Sequence, residues 1–186
     1  MSQFERLQDV AEFYRMLHPR PVVLIVTRCP NGKLNVMSAS WVTPVSEEPP
    51  LLAVAISKES YTTLCLEHSL EATLNIPGAE HADLVYKAGS VSGREIDKVS
   101  QFGMRLEESL SVSTPHWADA LGYIEVRVRH RIDAGESWLY LFEVVVAHVR
   151  SELWSKWGWK SPQAGPLLHG IGKAFYKPGQ MILSRG

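Results

Sequence analysis

The 186-residue sequence predicts a mainly β domain, an antiparallel barrel with helical insertions. Three observations support this. Apolar, β-branched runs at 22–27 and 51–56 have the length and composition of buried strands. Ile124, Val126, Val128, His130 and Ile132 alternate with Glu125, Arg127, Arg129 and Arg131, which is the period of a half-buried strand. The turn Asp133-Ala134-Gly135-Glu136 then hands that strand to a second long one, 139–149, so the two pair antiparallel.

In chain order, Ser2 and Glu5 form an S-x-x-E capping box, and Phe4, Leu7, Ala11 and Tyr14 follow at helical spacing. This N-terminal helix, 1–18, must stop near His18, because Pro19 and Pro21 exclude its continuation. The strand at 22–27 meets the turn signal Pro30-Asn31-Gly32, and a second strand from Lys33 completes a hairpin out to Ser40. After the strand at 51–56 come a short helix at 62–68, a strand at 72–76 closed by Pro77-Gly78, and a helix at 80–88. Residues 92–98 turn into one more helical turn, and 103–115 read as irregular with a short edge strand. Beyond the long hairpin, 151–186 is a C-terminal extension of short strand-like pieces broken by Gly172 and Pro178-Gly179. With no repeat and no linker, 1–186 reads as one domain.

Composition bounds the function. A formal net charge of −1 provides no global field for nucleic acid or an anionic membrane. No apolar run approaches the roughly 20 residues of a membrane helix. The N-terminus lacks the basic and apolar regions of a signal peptide. Cys29 and Cys65, the only cysteines, form no CxxC and read as two ordinary semi-buried thiols, which places the expected compartment in a reducing cytoplasm.

Several motifs are weaker than they look. Gly170-Ile171-Gly172-Lys173 lacks the third glycine and the following helix of a dinucleotide loop, and Gly165 and Gly170 are not followed by the Lys-Ser or Lys-Thr of a P-loop. The seven histidines form no HExxH and no tight cluster with cysteine or carboxylate, so no metal is expected. No G-x-S-x-G elbow anchors a hydrolase triad. Arg127, Arg129 and Arg131 share a strand face, read first as solvated and second as a basic rim near a dimer groove or an anionic ligand. Trp154, Trp157 and Trp159 admit satellite packing, a subunit contact or a lid over a planar ligand, the first two being favoured over the third.

The stretch 35–63 organises the rest. Its first part, with Met37, Ser38, Ala39, Ser40 and Trp41, is mostly small, as suits a backbone ledge beneath something flat. After the buried strand, Ser57-Lys58-Glu59-Ser60-Tyr61-Thr62-Thr63 opens a helix with hydroxyls, a lysine and free N–H groups, a ready anion site. Ser92, Gly93, Arg94 and Lys98 supply a second turn with cations, and Arg94 could hold a phosphate bidentately.

Pro19-Arg20-Pro21 followed by VVLIVT, then NVMSASW, SEEPPLLAVAIS, Leu74-Asn75-Ile76-Pro77, SGREIDK and Pro166-Leu167-Leu168 resembles, in that order, the flavin reductase-like, FMN-binding split-barrel family, over nearly the whole chain. The resemblance implies a six-stranded antiparallel split barrel of Greek-key type and a homodimer with one FMN per subunit near the interface. It also implies that Met37 to Trp41 offer backbone groups to the isoalloxazine ring. Ser57, Lys58, Tyr61 and Thr62 would hold phosphate and ribityl, with Asn75 nearby, and Ser92, Gly93, Arg94 and Lys98 would close the phosphate end. Many NADH-using members carry Gly-Asp-His between the two long strands. Here the turn reads Gly135-Glu136-Ser137, and Phe142 replaces a glycine expected in the return strand. His169 and Tyr176 are then the residues left for a nicotinamide or substrate face. The expected activity is oxidoreduction, from NADH or NADPH through FMN to flavin, ferric chelate or a protein acceptor, with the flavin doing the chemistry and no catalytic side chain. The alternative is an FMN-binding electron-transfer protein without its own nicotinamide site.

Overall fold

The computed structural model describes residues 4–184. Its main sheet has seven strands: β1 (Val23–Arg28), β2 (Leu34–Ala39), β3 (Val42–Glu47), β4 (Pro50–Ser57), β5 (Glu71–Ile76), β6 (Gly122–Ala134) and β7 (Ser137–Val149). They lie in the order β2-β1-β5-β6-β7-β4-β3, every neighbouring pair antiparallel. The two edge strands, β2 and β3, are separated in sequence only by Ser40 and Trp41, so that link brings the sheet's open edges together and the barrel is split there. The fold is the expected split-barrel class with one strand more than expected. The addition is β3, an edge strand that tolerates Pro44 because an edge proline breaks no ladder bond facing solvent, and a register shift at Pro44–Ser46 accommodates it.

β1 is buried on both faces and so divides the interior in two. Val23 and Ile25 face the barrel core with Leu52, Val54, Leu74, Val126 and Phe142. Leu24 and Val26 face an outer core with Val36, Val85, Ala88, Trp117 and Leu167. Each such side chain contributes about 1.5–3 kcal/mol by leaving water. The outer core holds helix α2 (Ala82–Ser90) against β2, and it is this packing that places α2's C-terminal end beside the ledge.

Helix α1 (Tyr61–Ser69) starts where the hydroxyl-rich segment predicts, with Ser60 as N-cap accepting from the Thr62 amide at 3.1 Å. Cys65 of α1 is not a separate thiol. It is joined to Cys29, just past β1, in a disulfide with both sulfurs buried, a correction that follows from α1 packing across β1. Closing a loop over a separation of 36 residues stabilises by about 4 kcal/mol on the chain-entropy model. The lone-thiol argument for a reducing compartment falls with it.

The first helix also differs. It is a 3-10 helix, Val10–Leu17, capped by Asp9 rather than begun at Ser2, which lies outside the described residues. It buries none of its side chains, leaving Val10, Phe13, Met16 and Leu17 exposed.

The irregular segment 103–115 holds the expected short strand, Leu106–Glu107, paired with His116–Trp117. It is pinned by two carboxylates of the sheet. Glu125, read as a solvated alternate of β6, is fully buried and accepts from the amides of Leu110, Ser111 and Val112 at 3.0, 2.6 and 3.1 Å. Glu71 accepts from the Ser113 and Thr114 amides at 2.7 and 3.0 Å. Arg127 donates to the Ser111 carbonyl, Arg129 pairs with Glu143 and Arg131 with Glu67, so each of the three arginines is engaged locally on an exposed face. The tryptophan segment is a small hairpin, Trp154–Ser155 against Gly158–Trp159, with Trp154 and Trp159 edge to face and Trp157 exposed at its tip. Among the described residues no helix is long and apolar enough to cross a membrane.

Candidate functional site

Three adjacent cavities run along β2 and past its end. The first, about 300 Å³, lies between Asn35 and Met37 of β2, the start of α1 (Ser60, Tyr61, Thr62) and the segment Gly89 to Gly93 with Lys98. The second, about 280 Å³, shares Gly89 and Ser90 with it and adds Ser38, Ser40, Val85, His169 and Phe175. The third, about 550 Å³, shares Ser40, His169 and Gly172 with the second and opens between Tyr14, His18, Arg20, Trp41 and Glu136. β2 is an edge strand with β1 as its only ladder partner, so alternate backbone groups along it point away from the sheet and toward this track.

The first cavity has the chemistry of an anion cradle. The nine-residue helix α1 presents its N-terminus there. Lys98, buried at the start of helix α3 (Lys98–Gln101), donates to the carbonyls of Val36 and Ala88 at 2.9 and 2.6 Å. An ammonium has three donors, so one remains for a ligand. Burial pushes the Lys98 pKa down to about 8. Asn35 donates to Thr62 Oγ1 at 2.9 Å, while its buried Oδ1 has no partner. That is an acceptor suited to a ligand hydroxyl rather than to a phosphate. Gly93 is required for this shape: a Cβ there would collide with Asn35 Oδ1 and come within 2.9 Å of the Tyr61 ring. Arg94, exposed at the rim, lies with its guanidinium 5.1 Å from the Tyr61 ring centre. A sugar phosphate or ribityl phosphate fits this set of a cation, helix amides, hydroxyls and a lone acceptor.

The predicted residues divide as follows. Met37, Tyr61, Thr62, Ser92, Gly93 and Lys98 line the first cavity, with Arg94 at its rim. Ser38 and Ser40 line the second, and Ser40 and Trp41 the third. Ser38 Oγ donates to the Val85 carbonyl, tying α2 to the ledge. Ala39 is buried against the barrel core, so it has only backbone to offer. Three residues are turned away. Lys58 reaches Asp133 at 2.8 Å and sits over the Trp138 ring. Ser57 Oγ accepts from the Glu59 amide, and its carbonyl accepts from Thr63 Oγ1 at 2.8 Å. Asn75 is fully buried, donating to the Leu24 carbonyl and accepting from the Trp117 amide, a splice between β1, β5 and the outer core. His169 lines the second and third cavities, its Nδ1 3.2 Å from Ser40 Oγ, whereas Tyr176 lines none of the three and Phe175 takes that place. None of the clustered tryptophans lines the track.

Sequence reasoning missed Tyr14, His18, Arg20 and the Gly89-Ser90 end of α2. Pro19-Arg20-Pro21 was the available signal, since a cation fixed between two prolines is held at a defined place on the chain. Burial lowers the His18 pKa, and nearby Arg20, His169 and Arg15 lower it further, so the third cavity is locally electropositive. Among the described residues no group of three or more metal-ligating side chains gathers.

The comparisons with known proteins agree with this architecture. Residues 14–173 match the family described as flavin reductase like domain. An uncharacterised protein of Archaeoglobus fulgidus is 32% identical over 137 residues, 74% of this chain and 76% of that one. Flavoredoxin of Desulfovibrio vulgaris (Miyazaki F) superposes with a TM-score of 0.82 at 21% identity, over 100% of this chain and 96% of that one. An FMN-binding protein of Thermus thermophilus does so with a TM-score of 0.85 at 23% identity, over 99% of each chain. At such identities the two structures speak for the fold, and the family match covers most of the sequence: the chain belongs to the flavin reductase-like family.

Proposed function

We propose that the protein binds FMN along β2 and works as an oxidoreductase, passing electrons from NADH or NADPH to free flavin, a ferric chelate or a protein acceptor. The observation that carries the reading is the continuous track from the Lys98 cradle to His169, with an anion site at one end and an edge strand along its side. FMN would supply the redox chemistry, accepting a hydride and releasing electrons singly or in pairs. The chain's own groups would bind and orient. Lys98 and the start of α1 would hold the phosphate and Asn35 Oδ1 would accept from a ribityl hydroxyl, with Gly93 packed closely against Asn35 and Tyr61. Outward N–H groups of the ledge would stabilise negative charge on the reduced ring. The proposed site needs no side-chain acid or base.

A second reading is favoured by one turn. Gly135-Glu136-Ser137 brings Glu136, and no histidine, to the third cavity, which suits an FMN-binding relay reduced by a partner rather than by nicotinamide. Anaerobic titration of the flavin-loaded protein decides between them. Bleaching of the flavin near 1:1 by NADH or NADPH is the expected result, and a flavin that stays oxidised with both but is bleached by dithionite would establish the relay. The apolar residues Val10, Phe13, Met16 and Leu17 of the first helix, all exposed, support a homodimer, as an apolar helix that one chain leaves uncovered. Light scattering of the loaded protein should give twice the 20.8 kDa chain mass, and a monomer mass would refute the dimer.

A further inference from the structure

Arg20 is a half-buried cation without a counter-ion. Among the described residues no carboxylate oxygen lies within 4.0 Å of it, and it lacks the backbone carbonyls that take up the other unpaired guanidinium groups of Arg28, Arg127 and Arg150. Its guanidinium is instead held by rings, with the Trp41 and Tyr14 centroids 5.4 and 5.9 Å away. Rings hold a guanidinium through its face and leave its N–H edge unspent. One donor, on Nη2, reaches His18 Nε2 at 2.7 Å, so His18 accepts and its ring is neutral there. Nε is buried and has no partner. Burial without pairing disfavours the charged form of Arg20, a cost that a bound anion would relieve. The surroundings repeat the theme: His169 lies 5.9 Å from His18, and the one carboxylate lining the cavity, Glu136, is exposed.

We propose that this third cavity binds a small planar aromatic carboxylate, its carboxylate on the free edge of Arg20 and its ring among Phe13, Tyr14 and Trp41. The shape argues for a ring: the walls are aromatic, and about 550 Å³ is ample for a monocyclic ligand. Ser40 and His169 are shared with the second cavity, so the ligand's ring would lie at the ledge end of the track. That placement beside a flavin rests on the reading above, whereas the anion site itself does not. The cradle at Lys98 differs, because there the buried cation's donors go to carbonyls and the ring-held Arg94 is exposed at the rim.

The test is calorimetric titration of benzoate, benzamide and inorganic phosphate into the protein, once loaded with FMN and once flavin-free. Benzoate should bind at least about tenfold more tightly than benzamide, its neutral counterpart, because the charge-assisted pair with Arg20 is lost in the amide. Arg20→Gln should remove that difference, read in the flavin-free protein because Ser40 and His169 border both the second and the third cavity. Equal binding of benzoate and benzamide by the wild-type protein, which needs no variant, would overturn the proposal, as would undiminished benzoate preference in Arg20→Gln. Phosphate binding as tight as benzoate would overturn the aromatic part and reassign the cavity to a nucleotide's phosphates. Failure of FMN to bind, with benzoate preference intact in the flavin-free protein, would sink the flavin reading alone.

Discussion

Two segments flank the outer core, 103–115 and 88–98, and they spend their backbone and charged groups in opposite ways. In the first the amides are taken up: Glu125 and Glu71 are acceptors, and five amides of the segment donate to them. The second is left open. Lys98 keeps a donor in hand, the Asn35 acceptor beside Gly93 has no partner, and Gly93 sits so close to Asn35 and Tyr61 that no side chain fits there. Buried polar groups cost free energy when unpaired, and those at Asn35 and Lys98 border a cavity in which a ligand can complete the set. It is the open group beside a cavity, and not an unpaired atom alone, that marks the candidate site.

The contrast can be broken most forcefully at Glu125. Glu125→Ala removes the buried acceptor of three amides, that of buried Val112 among them, and should lower stability by about 3–5 kcal/mol, read as a shifted denaturant midpoint. FMN affinity of the folded fraction should not change. A loss under 1 kcal/mol, on the scale of an ordinary surface change, would show that the loop is not held by this carboxylate.

Next comes Lys98→Met, which should weaken FMN by about 1.5–3 kcal/mol, the worth of a hydrogen bond to a charged group. It also has a signature in pH. Burial holds the folded-state pKa of Lys98 at about 8, below the 10.5 of an ordinary lysine. Between those values the unfolded chain binds more protons, so the flavin-free protein should gain stability as pH rises from about 8 toward 10.5. Below pH 8 both states are protonated, and the burial cost is borne in full. The bound phosphate favours the ammonium, so FMN affinity should decline as pH rises across the same window. In Lys98→Met both slopes should flatten; slopes that persist belong to another group.

The smallest of these effects is at Gly93. Gly93→Ala should lose about 1–3 kcal/mol of FMN binding by crowding Asn35 and Tyr61, as overpacking does elsewhere. The disulfide and the strands should be untouched, so circular dichroism serves as the control. Full FMN affinity in this variant would mean that the close fit of Gly93 against Asn35 and Tyr61 does not shape the binding site.

Much of this molecule is legible from its residues because the signals are local. The run at 22–27, the strand at 51–56 and the alternation from Ile124 became β1, β4 and β6, and Ser60 capped α1 where hydroxyls and N–H groups gathered. What escaped depends on tertiary packing. Val42–Glu47 is an exposed edge strand carrying a proline and a bulge, so neither its burial nor its period announced it. Glu125 obeys the alternation of β6 yet is buried, because a distant loop covers the face that the period assigned to water. Cys29 and Cys65 meet only once α1 lies across β1. The site was half legible for the same reason. Tyr61, Thr62 and Gly93 follow from turn and cap chemistry, whereas Lys58 was captured by Asp133 in a hairpin turn remote in sequence, and Arg20 was left without a counter-ion.

The most direct test of the cradle is a pair of calorimetric titrations of the wild-type protein at pH 7, with FMN and with riboflavin. The two ligands differ only in the phosphate that Lys98 and the start of α1 are proposed to hold. Two charge-assisted contacts predict that FMN binds at least about 100-fold more tightly. Equal affinities would contradict the account, for the open polar groups around Gly93 would then be completed by something other than a phosphate.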